Sequence, residues 1–238
     1  MSSDLIVTGA TGRLARLLRP HWPDAIWLAR GEAWPEGRGG TILNLAGVTD
    51  PAGPLEDNVS TATAALAEGA RRGARVFLMS SAAVYGAGDQ DFAEDAPLAP
   101  VNAYGHAKAR MEALPGTAVI LRLGNVAGAD ALLGRARGEV VLDPVGPAGP
   151  VRSYIGPATL ARVLAHLFAT ADLPRVLNIA EPPPVSMGAL LDAAGLPWRF
   201  GPARDGAIPR VVLDTRRLQA ICPLPPADPA RMVAEWRA

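Results

Sequence analysis

Along the first 128 residues, short apolar runs alternate with longer segments of mixed apolar and polar residues. Short, mostly apolar runs without strict alternation predict strands buried on both faces. These runs are 5–7, 25–29, 41–45, 75–79 and 119–123. Between them, segment 55–72 has Leu55, Val59, Ala62 and Leu66 at helical spacing. Strands that alternate with helices predict a doubly wound parallel sheet of the α/β class.

The composition changes after residue 128. Segment 128–150 is rich in Gly, Ala and Pro, and 143–150 is predicted to be a loop. Helices are predicted at 157–169, 186–194 and 229–237, with a strand at 176–180 that returns to the core sheet. Proline-rich joints at 181–184 and 222–229 indicate a loosely built lobe. The chain therefore divides into residues 1–128 and a reduced C-terminal lobe, 129–238.

Charge and cysteine content exclude several classes of protein. Of 238 residues, 23 are basic and 23 acidic, and this zero net charge argues against a nucleic-acid surface. The single cysteine, Cys222, excludes an internal disulfide and is typical of a reducing compartment. No export signal or apolar run of membrane-spanning length is present, and the three histidines have no companions at ligand spacing. We expect a soluble, cytoplasmic protein without a metal site.

A glycine-rich turn follows the first predicted strand. The sequence from Thr8 to Ala15 is Thr-Gly-Ala-Thr-Gly-Arg-Leu-Ala, and a helix is predicted directly after it. A strand, a glycine turn and a helix in this order bring backbone N–H groups to one point, where a pyrophosphate can bind. This pattern predicts that residues 1–128 are a dinucleotide-binding domain of the Rossmann type. The predicted cofactor ligands in the turn are Gly9, Thr11, Gly12, Arg13 and Leu14.

The ends of the next two strands complete the predicted cofactor site. Arg30 ends the second strand, and no acid follows until Glu32. An arginine at this point suits the extra phosphate of NADP, whereas a carboxylate would suit the ribose of NAD, so NADP is favoured over NAD. Asn44 lies near the end of the third strand and is also a predicted cofactor ligand. Ala46 and Gly47 follow this strand, and their small side chains leave room for a ribose.

Tyr104 and Lys108 are the strongest catalytic candidates. They lie four residues apart in a predicted helix, so both side chains project from one face. Lys108 is the only lysine in the chain, although Lys and Arg together number 23. A nearby cation lowers the pKa of a phenol, which would allow Tyr104 to exchange a proton with a hydroxyl or carbonyl group. Ser81, at the end of the fourth strand, would hold the same substrate oxygen.

These segments together resemble the extended short-chain dehydrogenase/reductase family, the NAD(P)-dependent epimerase/dehydratases of nucleotide sugars. The likeness continues in 121–128, Leu-Arg-Leu-Gly-Asn-Val-Ala-Gly, and in 152–155, Arg-Ser-Tyr-Ile. It implies that Tyr104 is the acid/base, that Lys108 is its pKa partner and a ribose anchor, and that Ser81 orients the hydroxyl. It assigns four residues to the substrate. They are Asn58, Ala82, Asn125 and Arg152, although Asn58 is also explained as a polar residue near a helix N-terminus.

Departures from the family pattern narrow the expected activity. The dehydratases carry an Asp-Glu pair after the catalytic hydroxyl residue, and Ala82 and Ala83 stand there instead. We therefore expect an NAD(P)-dependent epimerase or reductase acting on a hydroxyl or carbonyl carbon, and these two activities are not separated by the sequence. The alternative is a catalytically silent NAD(P)-binding sensor. The shortened C-terminal substrate lobe leaves the substrate itself open. The sequence does not give the oligomeric state, but the resemblance allows a homodimer, because the helices at 55–72 and 102–114 commonly pair between subunits in that family.

Overall fold

The computed structural model describes residues 4–37, 40–134, 136 and 138–238. The strands are β1 (Leu5–Thr8), β2 (Ile26–Leu28), β3 (Thr41–Asn44), β4 (Arg75–Ser81), β5 (Asp91–Phe92), β6 (Val119–Leu123), β7 (Asn125–Val126), β8 (Val140–Leu142), β9 (Val151–Ile155), β10 (Val176–Ile179), β11 (Glu181–Ser186), β12 (Trp198–Phe200) and β13 (Arg210–Leu213). The helices are α1 (Arg13–Leu18), α2 (Asp57–Arg72), α3 (Ala103–Glu112), α4 (Ala131–Gly134), α5 (Pro157–Ala169), α6 (Met187–Ala194), α7 (Arg216–Ile221) and α8 (Pro229–Arg237). Short 3-10 turns cover Arg19–His21 and Ala82–Val84.

The chain forms two compact units, each built from three separate stretches. Unit 1 contains Met1–Gly86, Pro97–Arg122 and Leu167–Leu177, and unit 2 contains Ala87–Ala96, Leu123–His166 and Asn178–Ala238. The sequence analysis placed a single boundary at residue 128. The structure divides the chain differently: Ala87–Ala96 and the segment from Leu123 belong to unit 2, while Leu167–Leu177 belongs to unit 1 and leads into β10, the strand whose return to the core sheet was expected.

Unit 1 is organised around a six-stranded sheet in the order β10-β6-β4-β3-β1-β2. β1 pairs in parallel with β2 on one side and with β3 on the other, and β3 pairs in parallel with β4. Ile6, Ile42 and Leu43 have no exposed surface, as expected for parallel strands covered by helices on both faces. The expected α/β doubly wound sheet of the Rossmann type is confirmed, with the chain reversing its direction of strand addition at β1. Ligands bind at such a reversal, outside the carboxyl ends of the strands.

An aromatic cluster joins distant stretches of unit 1. Phe168 packs on Phe77 with ring centroids 4.9 Å apart and on Trp22 at 5.8 Å. Arg75 donates a hydrogen bond of 3.1 Å to the carbonyl of Phe168. Leu167–Leu177 therefore completes the core of a unit whose other residues come from the first half of the chain.

Unit 2 has its own sheet and core. β11, β9, β13 and β5 follow one another in this sheet, and β7 also pairs with β9. A buried cluster that includes Tyr154, Leu190 and Met232 covers it. Residues 181–184 were expected to be a proline-rich joint, and this expectation was wrong, because they belong to the strand β11 (Glu181–Ser186), antiparallel to β9. Its three prolines, 182–184, fall where the register shifts, between Glu181 and Val185, so their missing N–H groups interrupt few ladder bonds.

Candidate active site

A cleft of about 230 Å³ lies at the carboxyl ends of β1, β2 and β3 in unit 1. Its walls are the glycine turn after β1, the segment after β2, the segment after β3 and one face of α2. Six of the predicted cofactor ligands line it. They are Gly9, Thr11, Gly12, Arg30, Ala46 and Gly47. Of the other predicted ligands, Arg13 and Leu14 open α1 directly after the turn, and Asn44 ends β3.

The glycine turn fits closely against the end of β3. Gly9 has a φ of +81°, and a Cβ atom placed on it would lie 2.7 Å from the backbone nitrogen of Ala46. Asn44 is 1 % exposed, and its Oδ1 accepts a hydrogen bond of 2.5 Å from Thr8. Among the described residues, Asn44 Nδ2 has no hydrogen-bond partner. Position 9 accommodates only glycine, and the buried Nδ2 of Asn44 is a hydrogen-bond donor without a partner among the described residues. Both features are consistent with a nucleotide bound in the cleft.

Charged groups of both signs border the cleft after β2. The guanidinium of Arg30 forms an ion pair with Asp57, at 2.8 Å, in the first turn of α2. Glu32 lines the same cleft and accepts a 2.7 Å hydrogen bond from the backbone N–H of Ala29. The sequence analysis considered Arg30 as a ligand for a phosphate but did not foresee its carboxylate partner, which lies 27 residues along the chain.

Ser81 and Tyr104 meet in unit 1. Ser81 is the last residue of β4 and Tyr104 lies in the first turn of α3, and their side chains are hydrogen-bonded. Asn102 starts this helix by accepting a 2.8 Å hydrogen bond from the N–H of Gly105. A Cβ atom on Gly105 would lie 2.5 Å from the carbonyl oxygen of Ala83, so a glycine is needed for α3 to approach the turn at Ala82–Val84 this closely.

Lys108 lies one helical turn beyond Tyr104 and is 6 % exposed. Its Nζ donates a 2.8 Å hydrogen bond to the carbonyl of Met79 and lies 6.0 Å from the centre of the Tyr104 ring. Burial lowers the pKa of Lys108 to about 8, an effect that the nearby Glu112 carboxylate opposes. Lys108 is therefore mostly charged at neutral pH, with a proton that is easier to remove than that of an exposed lysine.

The effect expected of Lys108 on Tyr104 differs from what the structure gives. Burial raises the pKa of Tyr104, and the hydrogen bond with Ser81 lowers it by less. The expectation of a lowered phenol pKa is thus wrong for the protein without ligands, because desolvation of the phenolate outweighs the hydrogen bond with Ser81. As it stands, the site holds a neutral phenol and a buried ammonium group.

Asn58 lies beside this pair and is fully buried in α2. Its Nδ2 donates to the carbonyls of Val48 and Leu55, at 2.9 and 3.0 Å, so both amide hydrogens bind the loop that precedes the helix. A Cβ atom on Gly47 would overlap Asn58 Oδ1 and lie 3.4 Å from Lys108 Nζ. These contacts of Asn58 fix the Gly47 loop next to Lys108, and its expected contact with a substrate stays a prediction. Ala82, another predicted substrate residue, begins the 3-10 turn after Ser81.

The two remaining predicted substrate residues, Asn125 and Arg152, belong to unit 2. Asn125 pairs with Tyr154 across β7 and β9, and its side chain is hydrogen-bonded to the Tyr154 hydroxyl, which donates to Asp130 at 2.8 Å. Arg152 donates to backbone carbonyls, at 2.8 Å to Val151 and at 2.8 Å to Ile208. Burial lowers the pKa of Arg152, which the neighbouring Tyr154 and Asp143 raise by less.

A buried network behind the Tyr104–Lys108 pair was missed by the sequence analysis. Glu112 accepts hydrogen bonds from Ser80 at 2.5 Å and from Arg122 at 2.7 Å, and Arg122 also donates to the Tyr85 hydroxyl at 2.8 Å. All four residues are at most 8 % exposed. The four-residue spacing of Tyr104, Lys108 and Glu112 could have placed Glu112 on the same helix face. The partner Arg122, on another strand, carried no such signal.

Neither a metal-binding cluster nor a membrane-spanning helix is found among the described residues. Their His, Cys, Asp and Glu side chains form no group of three or more that could ligate a metal ion. Within the same residues, each helix is too short or too polar to cross a lipid bilayer.

Comparison with known proteins agrees with this architecture. The model of the NAD dependent epimerase/dehydratase family matches residues 41–141, from β3 to β8. This segment contains Ser81, Tyr104 and Lys108. A search of curated proteins found no match.

Solved structures match along nearly the whole chain. An NAD-dependent NDP-hexosamine 5,6-dehydratase, TunA, is 19% identical, with a TM-score of 0.76 and coverage of 98% of this chain and 97% of that one. A UDP-glucose-4-epimerase from Stenotrophomonas maltophila with bound NAD and formylated UDP-arabinopyranose is 18% identical, with a TM-score of 0.76 and the same coverage. RMD from Pseudomonas aeruginosa complexed with NADPH is 18% identical, with a TM-score of 0.75 and coverage of 99% and 98%.

The sheet order and the cleft at its reversal point define a Rossmann-type fold. At these low identities the structures establish the fold and nothing finer. The chain carries the fold of the NAD-dependent epimerase/dehydratase family, and the resemblance found in its sequence is confirmed.

Proposed function

We propose that the protein is an NAD(P)-dependent epimerase or reductase that acts on a hydroxyl or carbonyl carbon of a nucleotide sugar or a related small molecule. The observation that carries the proposal is the convergence of Ser81, Tyr104 and buried Lys108 in unit 1, the unit that also holds the glycine-lined cleft. Several similar structures contain NAD, NADPH or a nucleotide sugar, which supports this choice of ligands.

The residues of the cleft are suited to hold a dinucleotide. The turn at Gly9 and Gly12 would approach its pyrophosphate, and Ala46 and Gly47 would leave room for a ribose. A bound nicotinamide would supply hydride exchange with the substrate carbon. Lys108, adjacent to Gly47, would donate to a ribose hydroxyl while keeping its charge near Tyr104.

Tyr104 would transfer the proton that accompanies hydride exchange. Because burial raises its pKa, the phenol is protonated at neutral pH and is ready to donate to a carbonyl oxygen. In the opposite direction the phenolate must form, and the ammonium group of Lys108 stabilises that charge once the site is closed to water. Ser81 would donate to the same substrate oxygen and hold it near the phenol.

An elimination of water has less support from the residues near Tyr104. Ala82 and Ala83 occupy the turn after Ser81 and carry no carboxylate that could remove a proton from carbon. We therefore propose epimerisation or reduction rather than dehydration.

The choice between NADP and NAD depends on Arg30. To bind the extra phosphate of NADP, Arg30 would have to exchange its contact with Asp57 for one with that phosphate, in a cleft that Glu32 also borders. The preference for NADP that the sequence indicated stays a prediction, as does a homodimer through α2 and α3.

The proposal is tested by mixing the protein with nucleotide sugars and each dinucleotide in turn. A net change in nicotinamide absorbance indicates reduction or oxidation, and an isomerised sugar without that change indicates epimerisation. Tyr104→Phe should abolish turnover while the Kd for the dinucleotide changes less than about twofold, a difference of roughly 0.4 kcal/mol. His106→Gln, an exposed position of the same helix, serves as the control and should leave turnover unchanged.

The alternative is a binding protein without turnover. The observation in its favour is the raised pKa of Tyr104, because a neutral phenol does not accept a proton from a substrate hydroxyl. Tight dinucleotide binding together with no reaction of any nucleotide sugar would support this alternative and contradict the enzymatic one.

A further inference from the structure

The buried network behind the candidate site connects the elements that carry its side chains. Glu112 is on α3, the helix of Tyr104 and Lys108. Ser80, which donates to Glu112, directly precedes Ser81 on β4. Tyr85, which accepts from Arg122, directly follows the 3-10 turn that begins after Ser81. Glu112 therefore links α3, which carries Tyr104 and Lys108, to β4, which carries Ser81.

The geometry of the pair between Glu112 and Arg122 is that of a strong, directional contact. Arg122 Nε lies 3.1 Å from both carboxylate oxygens and Nη2 lies 2.7 Å from one of them. The guanidinium also stacks over the Tyr85 ring, with its carbon 4.8 Å from the ring centre. Forked arginine–carboxylate contacts fix orientation as well as distance. The contacts with Arg122 therefore hold the Glu112 carboxylate in a defined position on the helix face that also carries Lys108.

Among the described residues, most groups placed against the Lys108 amine are uncharged. From β4 it meets the carbonyl of Met79, at 2.8 Å, and from its own helix the sulfur of Met111, at 3.9 Å. The Tyr104 ring lies on one side, and from α2 the neutral amide of Asn58 approaches beside Gly47. Among the described residues, the charged group that acts on the pKa of the Lys108 amine is Glu112, one helical turn further on, and Glu112 pairs with Arg122 of β6.

We propose that Glu112 is a positioning residue of the candidate active site: it fixes α3 against β4 through the network and keeps the amine of Lys108 charged. The catalytic consequence rests on the proposed function, whereas the charge of Lys108 can be measured without any turnover.

The ionisation of Lys108 depends on the balance between desolvation of its amine and the negative charge of the nearby Glu112 carboxylate. Burial lowers the pKa of Lys108, and Glu112 opposes that effect. Replacing Glu112 by glutamine removes the negative charge and leaves the cation of Arg122 buried without its partner. Both changes disfavour a second positive charge nearby, so the amine of Lys108 would lose its proton at a lower pH.

The test uses the fact that Lys108 is the only lysine in the chain. In protein labelled with ¹³C at the lysine Cε, a single side-chain signal reports the ionisation of this residue in an NMR titration. The wild-type signal should titrate at about pH 8. In Glu112→Gln the midpoint should fall by roughly one unit or more. The control is Glu56→Gln, which removes an exposed carboxylate paired with Arg110 of the same helix and should leave the midpoint unchanged.

A second variant keeps the test decisive if the first does not fold. Glu112→Gln combined with Arg122→Gln removes both charges and leaves two amides that can hydrogen-bond. The midpoint of this double variant should lie between those of the wild type and of Glu112→Gln. A wild-type midpoint in every folded variant that lacks Glu112 would overturn the proposal.

The pH dependence of kcat provides a second, independent test of the role of Glu112. If the protein turns over a substrate, the alkaline fall in kcat should move to lower pH in Glu112→Gln. An equal loss of kcat at every pH would indicate a purely structural role and would contradict the proposal. If the wild type shows no turnover, the proposed function fails, and the titration still decides the role of Glu112.

Discussion

The close approach of the glycine turn to β3 leads to a quantitative prediction about Gly9. Gly31 lines the same cleft and has nearly the same backbone angle, with φ of +83° against +81° for Gly9. A Cβ atom on Gly31 would meet nothing within 4 Å, so Gly31→Ala should cost only the unfavourable backbone conformation, about 1–2 kcal/mol. On Gly9 the Cβ atom would also lie 2.7 Å and 2.9 Å from backbone atoms of Ala46.

Backbone atoms cannot rotate away as a side chain can, so Gly9→Ala must separate the turn from β3. Such overpacking costs a further ~1–3 kcal/mol, which gives a total of about 2–5 kcal/mol. Urea unfolding of the two variants with equal m-values measures the free energies of unfolding. Gly9→Ala should also weaken dinucleotide binding more than Gly31→Ala does. Equal destabilisation of the two variants would refute the argument that the approach to Ala46 restricts this position.

Two further predictions concern charged groups. Asp57→Asn should release Arg30 from its ion pair and raise the affinity for NADPH relative to NADH by up to about fivefold, because an exposed ion pair contributes a free energy of that scale. A ratio of the two Kd values equal to that of the wild type would contradict a role of Arg30 in binding the extra phosphate. Lys108 has a folded-state pKa of about 8, below that of an unfolded lysine, so the unfolded chain binds more protons in between and stability rises with pH over this window. From pH 8 to about pH 10 the wild type should therefore gain about 2 kcal/mol relative to Lys108→Met in urea unfolding, and parallel pH curves for the two proteins would contradict the lowered pKa.

Local patterns predicted the parts of the fold and site that depend on neighbouring residues. The helices at Pro157–Ala169 and Pro229–Arg237 have the expected bounds, and the strand expected at 176–180 ends one residue earlier, at Ile179, because their spacing and end residues are local signals. Tyr104 and Lys108 share a helix face because four residues make about one turn. The glycine turn was recognisable for the same reason.

Contacts between distant residues could not be predicted from the sequence in this way. The pairing of Arg30 with Asp57 and of Arg122 with Glu112 depends on which strands and helices the fold brings together. The strand at Glu181–Ser186 is formed in spite of its prolines because β9 offers an antiparallel partner. The raised pKa of Tyr104 depends on burial, which residue spacing alone does not give.

The division of unit 1 among three stretches has a consequence for the growing chain. After Arg122 has been synthesised, the outer edge of β6 stays unpaired until β10 is made, and the ring of Phe77 lacks its contact with Phe168. Both partners are synthesised only after intervening residues of unit 2. During that interval on the ribosome an open strand edge and an uncovered aromatic ring are accessible to other chains. A nascent polypeptide cut short before residue 177 would be a ready target for chaperones and proteases.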